Sequence, residues 1–207
     1  NPHVKVYGVQ ACGAASMVNA LQKHQKETLS QVSTIADGIA VKTPGDLTYE
    51  LCEKYVDEIV TVTDDEISTA ILTLIEQQKL IAEGAGAVSV AAVLFNKIPV
   101  EGRNVVCLVS GGNIDVTILS RVISRGLLKA GRSADITIEL ADKPGQRSGV
   151  SESSAREGGN VVSVYHDRAD LDTDINACYL RLVLETRDHA HVEQIKKALV
   201  DAGYTLI

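Results

Sequence analysis

The chain has 207 residues, 45% of them apolar and 23% charged, with a mean hydropathy of +0.07, the balance of an ordinary globular protein with material for one sizeable domain or two small ones. Its formal charge is −7, with 12 Lys and Arg against 14 Asp and Glu up to Arg132 and 8 against 13 beyond it. Neither part supplies the basic face of a nucleic-acid or anionic-membrane binder.

Trp is absent and Phe95 is the single Phe. Cores must then be built from Val, Ile, Leu and Ala, which suits a parallel sheet packed by helices and leaves no aromatic platform for stacking bases. No apolar run approaches the roughly 18 to 20 residues of a membrane span. Cys12, Cys52, Cys107 and Cys178 show no CxxC spacing, which points to a reducing compartment and a cytoplasmic protein.

Residues 4–9 read as a short strand that starts with almost nothing before it, as if the chain were a piece of something longer. A helix follows over 13–24, with Ala14, Met17, Val18 and Leu21 at helical spacing. Residues 33–38 form a polar loop ending in the turn dipeptide Asp37-Gly38. Asp46 is the expected N-cap of a helix over 47–55. A strand is expected over 58–62. Thr63 and Glu66 then form a capping box on a helix whose inner stripe is Ile67, Ala70, Ile71, Leu74 and Ile75. Lys79 closes that helix, where a cation complements the carbonyl end. The run Ala82-Glu83-Gly84-Ala85-Gly86-Ala87 leads into a small-residue helix over 88–96, and Glu83 is either an exposed carboxylate or a partly buried one that needs a donor.

Val105 to Val109 is a run of five apolar residues, read as a strand buried on both faces with Cys107 packed within it. Ser110-Gly111-Gly112-Asn113 then turns the chain into a helix beginning near Asp115. Adjacent glycines allow close approach of a ligand, and the helix start offers unpaired N–H groups at the carboxyl end of a strand.

The texture changes after a basic, glycine-flanked connector around 124–132. Residues 134–140 alternate as a strand with one wet face, Asp142-Lys143-Pro144-Gly145 turns, and a helix should come next. Strands are expected over 161–166 and 178–185, then a helix over 190–201 with Val192, Ile195, Ala198 and Leu199 inward, and a last strand near 204–207. The order βαββαβ is ferredoxin-like. His166, His189 and His191 read as exposed loop or strand-end residues, because no carboxylate or cysteine accompanies them at ligand spacing.

In this order, Thr34-Ile35-Ala36-Asp37-Gly38, Pro44-Gly45-Asp46-Leu47-Thr48-Tyr49-Glu50, the segment 60–67, the segment 82–87 and Ser110-Gly111-Gly112-Asn113 resemble the second half of the catalytic domain of threonine ammonia-lyases. These are pyridoxal-phosphate (PLP) enzymes of the tryptophan-synthase β type, related to serine racemase. The Asp-Lys-Pro-Gly turn, with the strands and helices on either side of it, resembles an ACT domain, a small regulatory module that binds amino acids. The resemblance implies an α/β chain: residues 1–125 as part of a PLP fold with a parallel sheet between helices, 126–132 as a linker and 133–207 as the ACT domain.

It further implies that Ser110 hydrogen-bonds the pyridine nitrogen, with Gly111, Gly38 and Glu83 beside the ring. A hydroxyl does not stabilise a protonated ring nitrogen as a carboxylate would, which favours loss of the β-hydroxyl of L-threonine or L-serine, to a 2-oxo acid and ammonia. Lys79 and Asn113 match positions that contact an AMP-type effector in some relatives. A divalent cation bound in serine racemase is not expected here, because the matching positions are Gln10, Ala14 and Ser16, which lack charged oxygens. The Schiff-base lysine and the glycine-rich phosphate loop of these enzymes have no counterpart in this sequence, so the chain alone is expected not to catalyse. A homo-oligomer is expected. In the ACT-like part, Arg147, Ser153 and Ser154 fall where apolar residues should face the sheet. The competing readings are a stand-alone amino-acid-binding regulatory protein and a nucleotide-binding α/β module.

Overall fold

The computed structural model describes residues 3–168 and 175–207 and divides into two compact units, residues 1–123 and 124–207. In the first, β1 (Tyr7–Ala11) pairs in parallel with β2 (Glu58–Val62), in the register Val9 to Val60. Around them lie α1 (Ser16–Lys23), α2 (Asp46–Tyr55), α3 (Asp64–Thr73) and α4 (Gly84–Leu94), and α5 (Val116–Lys129) comes after them. The core holds Val62, Ile67, Ala70, Ile71, Ala87, Ala91 and Val122, so it is built from aliphatic side chains as the missing aromatics require.

Local rules explain most of these boundaries. The Thr63 side chain accepts the Glu66 N–H and the Glu66 carboxylate accepts the Thr63 N–H, the capping box expected from sequence. Asp115 accepts the N–H groups of Thr117 and Ile118 at 2.7 and 3.3 Å, capping α5, and the Thr117 bond foremost holds its carboxyl below the ordinary range. Helix α3 runs on through a π-helical turn, Leu74–Gln78, to Lys79 at φ +57°.

Other boundaries differ from the expected ones. Helix α2 begins at Asp46 with Gly45 as its N-cap, because the Asp46 carboxylate is drawn to Lys26 and Thr48 and Tyr49 bond the Gly45 carbonyl instead. Helix α4 begins at Gly84, four residues before the expected start. Its glycines lie inside the first turn because a side chain at Gly84 would come within 2.5 Å of the Ile35 carbonyl oxygen. The segment 104–109 is in no strand of the described residues, and Val106 is 96% and Leu108 78% exposed. The reason lies in pairing: no neighbouring strand among the described residues reaches it, so a run built for burial on both faces is covered on one side only, through Cys107 and Val109. Cys107 is half-buried, and burial pushes its thiol up.

The expected linker is also changed. Helix α5 extends through Lys129, taking in Gly126, so only residues 130–132 remain as a turn, with Gly131 at φ +66°.

The second unit is the βαββαβ sequence expected: β3 (Ser133–Ala141), α6 (Gln146–Arg156), β4 (Asn160–Asp167), β5 (Ala177–Glu185), α7 (His189–Asp201) and β6 (Thr205–Leu206). The sheet order is β4-β5-β3-β6, antiparallel throughout, which is the ferredoxin-like arrangement. Ile136, Ile138, Leu140, Leu180, Leu182 and Leu184 alternate onto the face covered by Val150, Ile195 and Leu199.

Two expectations fail here. Arg147 is exposed, and Val150 takes the sheet-facing place together with Ser154, whose hydroxyl donates to the Val150 carbonyl at 3.0 Å. His191 is buried in the first turn of α7, where its Nδ1 accepts the Arg187 N–H and its Nε2 donates to the Glu157 carbonyl. A histidine inside a helix start was not legible from spacing alone. His189 is exposed at the start of the same helix, and His166 lies at the end of β4 with 19% of its side chain exposed.

Candidate functional site

The loop 110–113 is held against the start of α4 by three contacts. The Glu83 N–H donates to the Gly111 carbonyl at 3.2 Å, the Asn113 N–H donates to the Glu83 carboxylate at 3.0 Å, and a side chain at Gly86 would run into the Ser110 carbonyl oxygen. Glu83 is thus a half-buried carboxylate with the donor that burial demands. One residue along, Gly111 sits at φ +75°, and a Cβ there would lie 2.5 Å from Glu83 Oε1.

A second loop reaches the same carboxylate. A Cβ on Gly38 would lie 3.4 Å from Glu83 Oε1 and 3.1 Å from the Ala85 Cβ. Gly38 is placed by Thr34, whose hydroxyl donates to Asp64 at 2.6 Å, and by the Gly38 N–H bonded to the Asp37 carboxylate. The loop is a single 3₁₀ turn, Asp37–Ile39, rather than a bare dipeptide turn. Three of the sequence-selected residues, Gly38, Glu83 and Gly111, are therefore neighbours, and Ser110 adjoins them with an exposed hydroxyl that has no hydrogen-bond partner among the described residues.

The family profile of pyridoxal-phosphate dependent enzymes matches residues 1–111. The chain belongs to this family. Over 204 residues it is 48% identical to an L-threonine ammonia-lyase of Thermotoga maritima and 39% identical to one of Geobacter sulfurreducens, covering 99% of this chain and 51% of each relative. The chain thus spans about half the length of the curated relatives it matches. Among solved structures, the processed form of threonine deaminase isoform 2 from Solanum lycopersicum is similar at 37% identity and a TM-score of 0.54, covering 59% of this chain and 34% of that one.

Of these residues Ser110 is the one whose chemistry suits the family's cofactor, its exposed hydroxyl being a neutral partner for a ring nitrogen. The side-chain places at Gly38 and Gly111 are taken by Glu83 and Ala85, so those glycines serve the packing of the loops on Glu83.

The other selected residues are placed differently. The Lys79 ammonium donates to the Glu76 carbonyl at 2.6 Å, the helix-end role expected of a lysine at that position. Asn113 uses its backbone N–H on Glu83. Gln10 accepts the N–H groups of Met17 and Val18 at 3.1 and 3.0 Å, so its amide caps α1, while Ala14 and Ser16 are buried. Sequence reasoning missed Gly86 and Ser89 as supports of the loop. The Ser89 hydroxyl donates to the Leu108 carbonyl at 2.8 Å, and Cys107 Sγ lies 3.7 Å from the Ser89 carbonyl. The small-residue run 84–87 was the available signal, since helices without side chains exist where backbones must touch.

Proposed function

We propose that this chain is the ring-nitrogen side of a PLP-dependent threonine ammonia-lyase, which dehydrates and deaminates L-threonine or L-serine. The observation that carries the reading is the meeting of Gly38, Glu83 and Gly111 beside the exposed Ser110, whose hydroxyl has no partner among the described residues. When bound, PLP supplies an electron sink for loss of the substrate α-proton and β-hydroxyl. Ser110 would hold the ring nitrogen without protonating it, Glu83 fixes the loop that presents Ser110, and Gly38 and Gly111 let the two loops close on Glu83.

The Schiff-base lysine and the phosphate loop belong, in this reading, to the other half of a longer polypeptide. A cleft of about 530 Å³ lined by Val4, Tyr7, Val9, Val93, Val105 and Val106 is the place for a strand from that half. The second unit is an ACT domain that takes an amino-acid effector, and Lys79 with Asn113 forms part of an AMP-type effector site. The enzyme is a cytoplasmic homo-oligomer.

The test is to express the chain in one reading frame with its upstream coding sequence. The longer protein should bind PLP and convert L-threonine to 2-oxobutanoate. Ser110→Ala should lower kcat roughly tenfold, the equivalent of about 1.4 kcal/mol for one lost hydrogen bond. The 207-residue chain alone should do neither. Turnover by the short chain, or a longer protein indifferent to Ser110→Ala, would overturn the reading.

A further inference from the structure

At one end of the second unit's sheet, three residues distant in sequence meet. Asp142 lies just past β3, His166 is the penultimate residue of β4, and Cys178 is the second residue of β5. Register explains the meeting. Cys178 pairs with Leu140 and His166 with Leu180, and alternation places Cys178 and Leu180 on one face of β5, so the His166 ring is the diagonal neighbour of the Cys178 thiol on the helix-covered side. The Asp142 N–H is fixed by the Asn176 carbonyl at 2.9 Å, which swings its carboxylate over the pair. One ligand atom from each residue lies within 4.8 Å of the other two.

We propose that Asp142, His166 and Cys178 form a binding site for a zinc-type divalent ion, with one coordination position left open. The donor set decides the class. A thiolate, an imidazole and a carboxylate match zinc and cobalt(II), whereas magnesium and calcium want oxygen alone. Metal–ligand bonds of about 2.0–2.3 Å in a tetrahedron put neighbouring ligand atoms about 3.3–3.8 Å apart. Closing from the present spacing takes side-chain rotation at Asp142 and His166, which are not locked in the core as Cys178 is.

The site has a built-in competitor. The Arg168 guanidinium bonds the Asp142 carboxylate at 2.9 and 3.0 Å, with 62% of its side chain exposed. Metal uptake exchanges one cation for another at this carboxylate, and Arg168 is free to turn to water. His166 Nε2 lies 3.8 Å from Asp142 Oδ1, so an ion would sit between atoms that are already adjacent. The site lies wholly in the second unit and does not depend on the lyase reading.

The experiment titrates the reduced 207-residue chain with cobalt(II). One equivalent should produce a thiolate-to-cobalt charge-transfer band in the near ultraviolet and the visible bands of a four-coordinate ion, both removed by one equivalent of zinc. Cys178→Ser should abolish the charge-transfer band, and Cys12→Ser and Cys52→Ser should keep it. His166→Gln should weaken cobalt binding at least about tenfold. Because Cys178 is buried and its variant could unfold, Arg168→Gln gives a second reading in the opposite direction: removing the competitor should tighten binding several-fold. No charge-transfer band in the intact chain, a band that tracks Cys12 rather than Cys178, or affinity unchanged in both His166→Gln and Arg168→Gln would overturn the proposal.

Discussion

In the second unit Ile138, Leu180, Leu182 and Leu184 are wholly buried on one face of a four-stranded sheet, whereas in the first unit Val106 is 96% exposed and β1 has only β2 beside it among the described residues. Both regions are rich in branched aliphatic residues, so composition does not separate them. Pattern does. Residues 134–140 alternate, and an alternating strand needs only one covered face, which α6 and α7 provide. Residues 105–109 are apolar without alternation, and such a run is satisfied only with neighbours on both sides and cover on both faces. The second unit carries everything its pattern demands; the first displays a pattern whose demand is unmet among its own described strands.

The largest expected effect tests that contrast directly. Leu182→Ala should destabilise the second unit by about 2–5 kcal/mol, the usual cost of emptying a filled aliphatic site, while Val106→Ala in the same chain should change stability by less than about 0.5 kcal/mol. Urea unfolding monitored by circular dichroism measures both. Equal costs would break the comparison. In the longer protein proposed above, Val106→Ala should become costly, by about 1 kcal/mol or more, as a covered valine requires.

An intermediate effect is expected at the seam that holds Ser110. Gly86→Ala introduces a methyl group where the Ser110 carbonyl already sits, so it should cost about 1–3 kcal/mol by overpacking. Amide exchange in the 110–113 loop should rise with it. A neutral Gly86→Ala would show that the loop is not braced by α4.

The smallest effect is a dependence on pH, and it should be alike in the two units. Burial pushes the Glu66 carboxyl up, but Lys97 and the Thr63 N–H outweigh it and leave it below its usual value of 4.5. The Arg181 guanidinium, bonded at 2.8 and 2.9 Å, holds Asp135 below its usual 3.8 despite partial burial. A carboxyl depressed in the folded state adds stability above its unfolded value, and that addition is lost as pH falls through the folded one. Glu66→Gln and Asp135→Asn should therefore each cost up to about 1 kcal/mol at pH 7 and nothing once both states are protonated, near pH 2. A penalty that persists at pH 2 would assign these residues a packing role instead.

Much of this architecture was legible in the residues because it stems from short-range rules. The capping box at Thr63 and Glu66, the inner stripe of α3 and the alternation of β3 each depend on spacings of two to four residues, and each was found where expected. What escaped depends on partners distant in the chain. Nothing near Gly84 says that the Ile35 backbone will press on it, nothing near Asp46 announces Lys26, and the exposure of Val106 reflects neighbours it lacks rather than any property of its own. The candidate site divides in the same way. Glycines and a serine after an apolar run marked one loop, but the carboxylate shared by Gly38, Gly111 and Asn113 became definite only when three segments were brought together.

The open flank of β1 has one more consequence. An uncovered strand beside bare valines is a template for any extended peptide, including another copy of the same chain, and natural sheets blunt such margins with charge. Here Lys5 stands at the approach to β1, tethered to Asp57 at 2.6 Å with 63% of its side chain in water. Its charge stands at the mouth of the cleft beside β1, the kind of residue that discourages such pairing while the sheet is without a further strand.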